Sequence, residues 1–286
     1  MARHGNFVDN DTGELFENCV LRTQEEIEGY KKHLKHLEKK AMIHEAHRKN
    51  GAFVWLIYHS EQVLDLGITP DQLTKLIYIS TFIDYDNKLK VNSIAMRKID
   101  MQKILDISER TFKSFWHAIT SADILRVGDD GGLYLNDSIF MKGKIKRKTI
   151  PSDEYKIRLY KNSIQKLYKQ SKVTEHKFLS YLFQAIPYIN IDYNIISHNP
   201  QERDLSLVQP MQMTDYCTLV GYDPENARKL KTKMKSLTIN GRYVFSFVDN
   251  NDGLFCYVNP YVCYAGNKWD EVKVLGKFDG RAEEKQ

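Results

Sequence analysis

The sequence predicts an α+β, mainly helical fold in which one structural unit occurs twice. Two short phrases carry this prediction: LYLNDSIFMKGK from Leu133 to Lys144, and CYVNPYVCYAGN from Cys256 to Asn267. In each phrase an apolar strand ends at an asparagine, Asn136 or Asn259, and a glycine follows seven residues later. Two short helical patterns separated by a tight turn precede each phrase. This arrangement predicts two tandem winged-helix domains, preceded by an N-terminal hairpin and a long helix.

The composition is that of a folded chain with room for more than one core. The 286 residues are 42% hydrophobic and 12% aromatic, which excludes a disordered protein. The net charge is only +5, so a surface for nucleic acid has to come from local clusters of cations. The four cysteines form no CxxC pair, and no apolar run has the length of a membrane span or the form of a signal peptide. These features predict a cytoplasmic protein with reduced thiols.

Residues 1–50 are predicted to form a small hairpin and a long helix. Thr23 and Glu26 have the spacing of a capping box, and the helical pattern continues to about Lys49. Apolar side chains recur along this helix every three or four residues: Ile27, Tyr30, Leu34, Leu37 and Ala41. The stripe either packs on its own domain or forms a dimerisation seam, which would make the protein a homodimer through residues 24–49.

Residues 51–148 are predicted to form the first winged-helix domain with a basic linker. A strand or short buried segment at residues 53–58 is followed by a helix that begins at Thr69-Pro70, and residues 100–105 form another helical turn or more. Ser108 caps a helix to about Ala122, in which Phe112, Phe115, Trp116 and Ile119 form one apolar face. Residues 124–127 and 133–135 flank a glycine-rich turn and are predicted to form the wing.

Residues 149–276 are predicted to repeat the plan, and residues 277–286 to form a charged tail. Ser152 is expected to cap a helix that ends near Gln170, and Thr174 to open the next one. A strand is expected around residues 191–197.

The helix-turn-helix of this domain is predicted to begin with residues 213–219. Asp223-Pro224 starts the second helix, and its buried stripe is Ala227, Leu230, Met234 and Leu237. Residues 241–248 and 254–258 make a longer wing.

The second recognition helix carries a row of basic residues opposite this stripe. Such a row is suited to releasing counterions from duplex DNA, and Arg228 could pair bidentately with a guanine edge. The alternative is a solvated basic face on an ordinary helix. The candidate DNA-binding residues are Arg228, Lys229, Lys231, Thr232, Lys233 and Lys235, with Arg242 at the base of the wing.

The first recognition helix presents a more mixed set of polar residues. Ser, Thr and His side chains can donate to phosphates or bases, which would suit sequence reading. Asp129 and Asp130 at the wing tip would be repelled by phosphates, so this wing is not expected in the minor groove. The candidate residues are Ser108, Arg110, Thr111, Lys113, Ser114 and His117, with Arg126 on the hairpin.

A run of basic residues joins the two predicted domains. It is either a solvated linker or a further phosphate contact, because it lies between two DNA-binding units. Its candidate residues are Lys144, Lys146, Arg147 and Lys148.

The segment ILDISERTFKSFWHAITSADILRV, followed by LYLNDSIFMKGK, resembles the winged-helix replication-initiation proteins of Firmicute plasmids and phages, including the RepL type. The resemblance covers roughly residues 95–145, and it extends to the second domain only through the internal repeat. It implies binding to an origin or an operator. The presence of two units and a long N-terminal helix departs from the single-domain members and is similar to tandem winged-helix initiators that bind iterons.

Catalytic and cofactor signatures are missing from the sequence. It contains no GxxxxGK[ST] loop, no GxGxxG after a strand and no HExxH. Two histidine pairs on the N-terminal helix, His33 with His36 and His44 with His47, have a spacing that could share a metal, but the pairs lie too far apart to hold one ion together, and a solvated face is the favoured interpretation. We therefore expect no enzyme activity, no cofactor and no metal.

Two functions are expected from a DNA-binding protein of plasmid or phage type. The first is a replication initiator that binds origin repeats in double-stranded DNA and recruits host replication proteins. The second is a transcriptional regulator that binds operators and acts with RNA polymerase. A third possibility is a winged-helix module for protein interactions, against which the basic helix argues. A single chain is expected to bind two unlike half-sites in tandem.

Overall fold

A computed structural model of the chain describes residues 3–21, 23–35, 37, 51–59, 66–143, 154–172, 175–250, 253–266 and 278. The chain divides into two compact units, Met1–Lys49 and Asn50–Gln286. The described residues form eight α-helices and six small antiparallel sheets. The predicted α+β class is confirmed.

The first unit contains a hairpin followed by a helix, as the sequence predicts. Strands β1 (Arg3–Val8) and β2 (Leu15–Leu21) pair antiparallel, and helix α1 spans residues 24–35. The Thr23 hydroxyl accepts a hydrogen bond from the Glu26 N–H at 3.2 Å, and the Glu26 carboxylate accepts one from the Thr23 N–H at 3.0 Å. This is the predicted capping box. The predicted continuation of the helix from residue 38 to Lys49 lies outside the described residues.

The first half of the second unit follows the predicted order of elements. Helix α4 begins after Ser108 because the Ser108 hydroxyl accepts the Thr111 N–H at 3.3 Å. The elements of this half are β3 (Phe53–His59), α2 (Pro70–Ser80), β4 (Lys90–Val91), β5 (Ile94–Ala95), α3 (Lys98–Leu105), α4 (Glu109–Ser121), β6 (Leu125–Val127), β7 (Leu133–Leu135) and β8 (Phe140–Met141).

The second half shares its first strand, its helix pair, its hairpin and its closing strand with the first half, and it adds one helix after the first strand and a short strand pair after the helix pair. The Asp223 carboxylate accepts the Glu225 N–H at 3.0 Å and opens a 3-10 turn (Pro224–Asn226) that leads into α8. The elements are β9 (Glu154–Tyr160), α5 (Lys161–Gln170), α6 (His176–Gln184), α7 (Met213–Leu219), α8 (Ala227–Lys235), β10 (Thr238–Ile239), β11 (Arg242–Tyr243), β12 (Phe245–Asn250), β13 (Gly253–Val258) and β14 (Cys263–Tyr264).

Two sequence predictions in this half are wrong. The helix expected from Ser152 to Gln170 begins only at Lys161, and residues 154–160 form strand β9. Ile157 and Leu159 are buried while Lys156 is exposed, an alternation of period two that specifies a strand. Of residues 191–197, all of which the structure describes, only Ile195, Ile196 and Ser197 take part in isolated bridges, and none lies in a regular strand.

The two phrases found in the sequence have the same hydrogen bonds. Asn136 and Asn259 each use the peptide N–H and the side-chain amide to bind two consecutive backbone carbonyls. The Asn136 N–H donates to the Ile124 carbonyl at 2.9 Å, and its side-chain amide donates to the Asp123 carbonyl at 3.0 Å. The Asn259 N–H donates to the Val244 carbonyl at 2.8 Å, and its side-chain amide donates to the Tyr243 carbonyl at 2.7 Å. The sequence repeat is therefore also a structural repeat.

The glycines that close the two phrases are needed for different reasons. Gly143 has φ +96°, which favours glycine. At Gly266 a Cβ atom would lie 2.2 Å from the backbone oxygen of Ile191, so the chain can pass there only without a side chain.

A four-stranded antiparallel sheet of order β14-β9-β3-β8 joins the two halves. Leu56 of β3 pairs with Phe140, which lies four residues after Asn136. Leu159 of β9 pairs with Cys263, which lies four residues after Asn259, so Leu56 and Leu159 occupy equivalent positions in the two halves. Trp55 and Arg158 are then counterparts too, and these two residues face each other in the β3–β9 pair. This register places a pseudo-two-fold axis between the halves.

The two halves also share their core. Helices α2 and α6 pack against each other, and the buried apolar side chains form one continuous cluster from Val54 to Cys263. The predicted boundary between residues 148 and 149 lies outside the described residues.

Candidate nucleic-acid interface

Helix α4 presents one polar and one apolar face. Phe112, Phe115 and Ile119 are buried, as their spacing predicts. The sequence-predicted residues on the opposite face are all exposed: Ser108, Arg110, Thr111, Lys113, Ser114 and His117.

The charge on this exposed face is small. The Lys113 ammonium lies 2.7 Å from the Glu109 carboxylate, and this hydrogen bond lowers the pKa of Glu109. The Ser108 and Thr111 hydroxyls are 2.9 Å apart, and His117 Nδ1 lies 3.4 Å from the Ser121 hydroxyl. The face therefore offers several small donors and little net charge.

The β6–β7 hairpin carries an acidic tip whose charge is partly compensated. The Asp130 carboxylate binds the Lys88 ammonium and accepts hydrogen bonds from the Tyr134 hydroxyl and the Gly132 N–H, both at 2.9 Å. These bonds, that from Lys88 above all, lower the pKa of Asp130 to about 2. Arg126 is exposed on the same hairpin, with its guanidinium 5.6 Å from the centre of the Tyr134 ring. The sequence does not reveal Lys88 as a partner, because 42 residues separate it from Asp130.

Helix α8 has the strongest concentration of positive charge in the described elements. Leu230 and Met234 are fully buried, and Leu237 is 8% exposed. Five cations and one acid, Glu225, occupy residues 225–235. The predicted residues exposed on this helix are Arg228, Lys229, Thr232, Lys233 and Lys235.

Lys231 is placed differently from its neighbours. Its side chain is only 22% exposed, and its ammonium lies 3.4 Å from the carboxylate of Asp249 on β12. The same ammonium is 5.9 Å from the centre of the Phe247 ring. Lys231 therefore links the helix to the following hairpin, a role that its sequence position does not indicate.

Two other cations lie over aromatic rings. The Lys233 ammonium is 5.3 Å from the Phe178 ring and 5.8 Å from the Tyr222 ring. The Arg242 guanidinium is 4.6 Å from the Tyr261 ring and is half-buried. These contacts orient the two charges relative to the surface. Lys144, Lys146, Arg147 and Lys148 of the predicted linker lie outside the described residues.

The described residues offer little for other chemistry. No group of three or more His, Cys, Asp or Glu side chains among them could hold a metal ion. Burial raises the pKa of the Cys263 thiol to about 12 and that of Cys256 well above its ordinary value, so neither forms a thiolate near neutral pH. Within the described ranges, every helix is too short or too polar to cross a membrane.

Comparison of the chain with protein-family models, with curated proteins and with solved structures found no match.

Proposed function

We propose that the second unit is a pair of winged-helix domains that binds double-stranded DNA, with α4 and α8 as the recognition helices. The observation that carries the proposal is the exposed basic face of α8. In both halves a helix pair leads into a β-hairpin, which is the order of elements that a winged helix requires.

The α8 face supplies most of the affinity in this proposal. Arg228, Lys229 and Lys235 are exposed on a helix whose other face is anchored by fully buried side chains. Such cations gain free energy by releasing the counterions condensed on DNA phosphates. A module for protein contacts alone would not need this concentration of charge.

The α4 face contributes selectivity more than affinity. Its hydroxyls, imidazole and Arg110 can donate to phosphates and base edges, while the Glu109–Lys113 pair limits its net charge. The two halves thus read DNA with different side chains.

The pseudo-two-fold axis favours inverted half-sites over half-sites in head-to-tail order. Two recognition helices related by a two-fold axis contact one duplex in equivalent ways only if its half-sites are related by a dyad. Because α4 and α8 differ in sequence, each half-site has its own bases, and the preferred site is an imperfect inverted repeat.

A binding experiment with designed duplexes tests both parts of this proposal. The full chain is first footprinted on the DNA beside its gene. The two protected half-sites are then built into duplexes in inverted and in direct orientation, with the same spacing and composition. We expect tighter binding to the inverted form. Equal binding to both and to random DNA, with no dependence on salt, would contradict DNA recognition by this face.

Of the biological roles open to such a protein, we propose replication initiation at an origin with repeated sites. This role rests on the resemblance of residues 95–145 to plasmid and phage initiators. A plasmid that carries only the gene and its flanking DNA should replicate in a suitable host, and it should no longer replicate when Lys229 and Lys235 are replaced by Ala. A transcriptional regulator would instead change promoter activity and leave replication unaffected.

A further inference from the structure

Helix α5 distinguishes the second half of the second unit from the first half. It lies between β9 and α6, whereas the described residues between β3 and α2, residues 66–69, form no helix. One face of α5 packs on the core that the two halves share, through its buried residues Ser163, Ile164, Leu167 and Tyr168. Without a described counterpart, α5 breaks the pseudo-two-fold symmetry of the unit.

The buried side of α5 contacts the first half at the turn that precedes α4. The Tyr168 hydroxyl donates a hydrogen bond to the carbonyl of Leu105, the last residue of α3, at 3.1 Å. The last carbonyls of a helix have no partner within that helix, so this bond satisfies one of them. Asp106 follows with a left-handed φ of 50°, and Ser108 then caps α4. Tyr168 therefore fixes the segment from which the first recognition helix begins.

The exposed side of α5 contacts the second half just after α8. Lys166 and Gln170 lie four residues apart, which places them on one side of the helix. The Gln170 side-chain amide donates to the Thr238 carbonyl at 2.5 Å, and the Lys166 ammonium donates to the Asn240 side-chain oxygen at 2.7 Å. Thr238 begins β10, three residues after α8 ends at Lys235. One helix thus holds the chain next to both recognition helices.

We propose that α5 sets the separation of α4 and α8, and through it the spacing of the two half-sites that the chain accepts on DNA; the part that concerns DNA rests on the proposed function. The central sheet joins the halves at β3 and β9, whereas α5 acts at α3 and β10, beside the two recognition helices. Each base pair added between half-sites moves them about 3.4 Å apart and turns one by about 34° relative to the other. Recognition helices held at a fixed separation therefore match only a narrow range of spacings.

A distance measurement in the full chain without DNA tests the positioning role. Nitroxide labels are attached at Ser114→Cys on α4 and Thr232→Cys on α8, two exposed and neutral positions, in a Cys19→Ser background. The other three cysteines are buried and are not expected to react. Tyr168→Phe with Gln170→Ala should broaden the distribution of distances between the labels at least about twofold, because α5 then no longer holds both ends.

The control is a double variant that removes the same groups within one half. Tyr168→Phe removes only a hydroxyl, and its ring can still stack on Tyr78 of α2, whose centre is 3.9 Å away. Tyr193→Phe likewise removes a buried hydroxyl, which donates to the Arg203 carbonyl of the same half at 3.0 Å. Combined with Gln209→Ala, at another exposed glutamine, it should keep the wild-type distribution. Equal broadening in the two double variants would overturn the proposal.

A series of duplexes tests the consequence for DNA. The two footprinted half-sites are built at their natural spacing and with one to five base pairs added. The wild-type chain should bind the natural spacing at least about tenfold more tightly than the least favourable one, because a misplaced half-site loses the tethered second contact. Tyr168→Phe with Gln170→Ala should reduce this preference to a few-fold, and an undiminished preference would overturn the proposal. A wild type that binds no duplex would contradict the proposed function instead, and the distance measurement would then decide the role of α5 alone.

Discussion

Asn87 and Asn194 occupy equivalent positions in the two halves, and each binds the equivalent pair of backbone carbonyls in its own half. The Asn87 side-chain amide donates to the carbonyls of Leu135 and Phe140, at 3.4 and 2.5 Å. That of Asn194 donates to the carbonyls of Val258 and Cys263, at 3.1 and 2.8 Å. Both asparagines have left-handed backbones, with φ of 58° and 56°. Each joins the hairpin to the strand that enters the central sheet.

The first prediction is that removal of the Asn194 amide destabilises the second unit. Asn194→Ala leaves two buried carbonyls without this donor, which costs about 1–3 kcal/mol of unfolding free energy. It also places Ala in the left-handed region, which costs a further ~1 kcal/mol. Urea unfolding measures the total.

Asn92→Ala is the matched control, because Asn92 has φ 48° and is exposed. It carries the backbone cost without buried carbonyls. If the two variants lose the same stability, the amide bonds contribute nothing and the prediction is wrong.

Local patterns in the sequence predicted much of this fold. The apolar spacing of Phe112, Phe115 and Ile119, and of Leu230 and Met234, identified the buried faces of α4 and α8. Capping residues such as Ser108 and Asp223 predicted where the helical segments begin. These signals lie within one turn or one helix.

The contacts that join distant segments could not be predicted in the same way. Asn87 lies 48 residues before Leu135, whereas Asn194 lies 64 residues before Val258, so no fixed period relates them. Strands β3 and β9 pair across about a hundred residues of chain, and the capping pattern at Ser152 predicts a helix where β9 forms a strand. Pairing between distant strands depends on the three-dimensional fold, which periodicity within a segment does not specify.

The second prediction concerns the exposed cations of α8. Lys229→Ala with Lys235→Ala should weaken binding to every duplex and reduce the slope of log K against log salt by about 0.9 for each phosphate that the variant no longer neutralises. Lys31→Ala with Lys32→Ala removes the same charge at exposed positions of the first unit and should leave the slope unchanged. Equal effects of the two double variants would indicate a nonspecific effect of net charge.

The third prediction follows from the pairing of Lys231 with Asp249. In the described structure this carboxylate holds the Lys231 ammonium at 3.4 Å. Asp249→Asn should free Lys231 for phosphate, tighten DNA binding and steepen the salt dependence by up to about 0.9. Asp129→Asn makes the same charge change on the first hairpin and serves as the control. A gain no larger than that of the control would show that the pair does not restrain Lys231.

The fourth prediction concerns pH and the buried His176. This residue is 2% exposed, and burial lowers its pKa below the ordinary value of about 6.5, with a smaller contribution from Lys75. The folded chain then binds fewer protons at His176 than the unfolded chain. Stability from this group is therefore present above pH ~6.5 and falls as the pH drops from there toward the lowered pKa.

Unfolding free energies measured between pH 8 and pH 5 test this sign. His176→Gln should flatten the acid loss, although it lowers stability at pH 8 through the altered contact with the Tyr168 carbonyl. His117→Gln changes an exposed histidine and should keep the wild-type pH dependence. An unchanged slope in His176→Gln would place the acid sensitivity elsewhere.

The fifth prediction separates base reading from charge. Arg228 and Arg110 are exposed near the starts of α8 and α4, where recognition helices approach base edges. Arg→Lys at either position keeps the positive charge but removes the planar pair of donors that matches a guanine edge. Each substitution should cost about 1–3 kcal/mol on the footprinted site and much less on random DNA, without changing the salt slope. In the proposed mode of binding the two helices read different half-sites, so Arg228→Lys should relax selectivity in one half-site and Arg110→Lys in the other. Competition binding with duplexes mutated in one half-site at a time measures this directly. Equal losses on cognate and random DNA would assign both arginines to the phosphate backbone, and the selectivity would then have to come from the hydroxyls and the imidazole of α4.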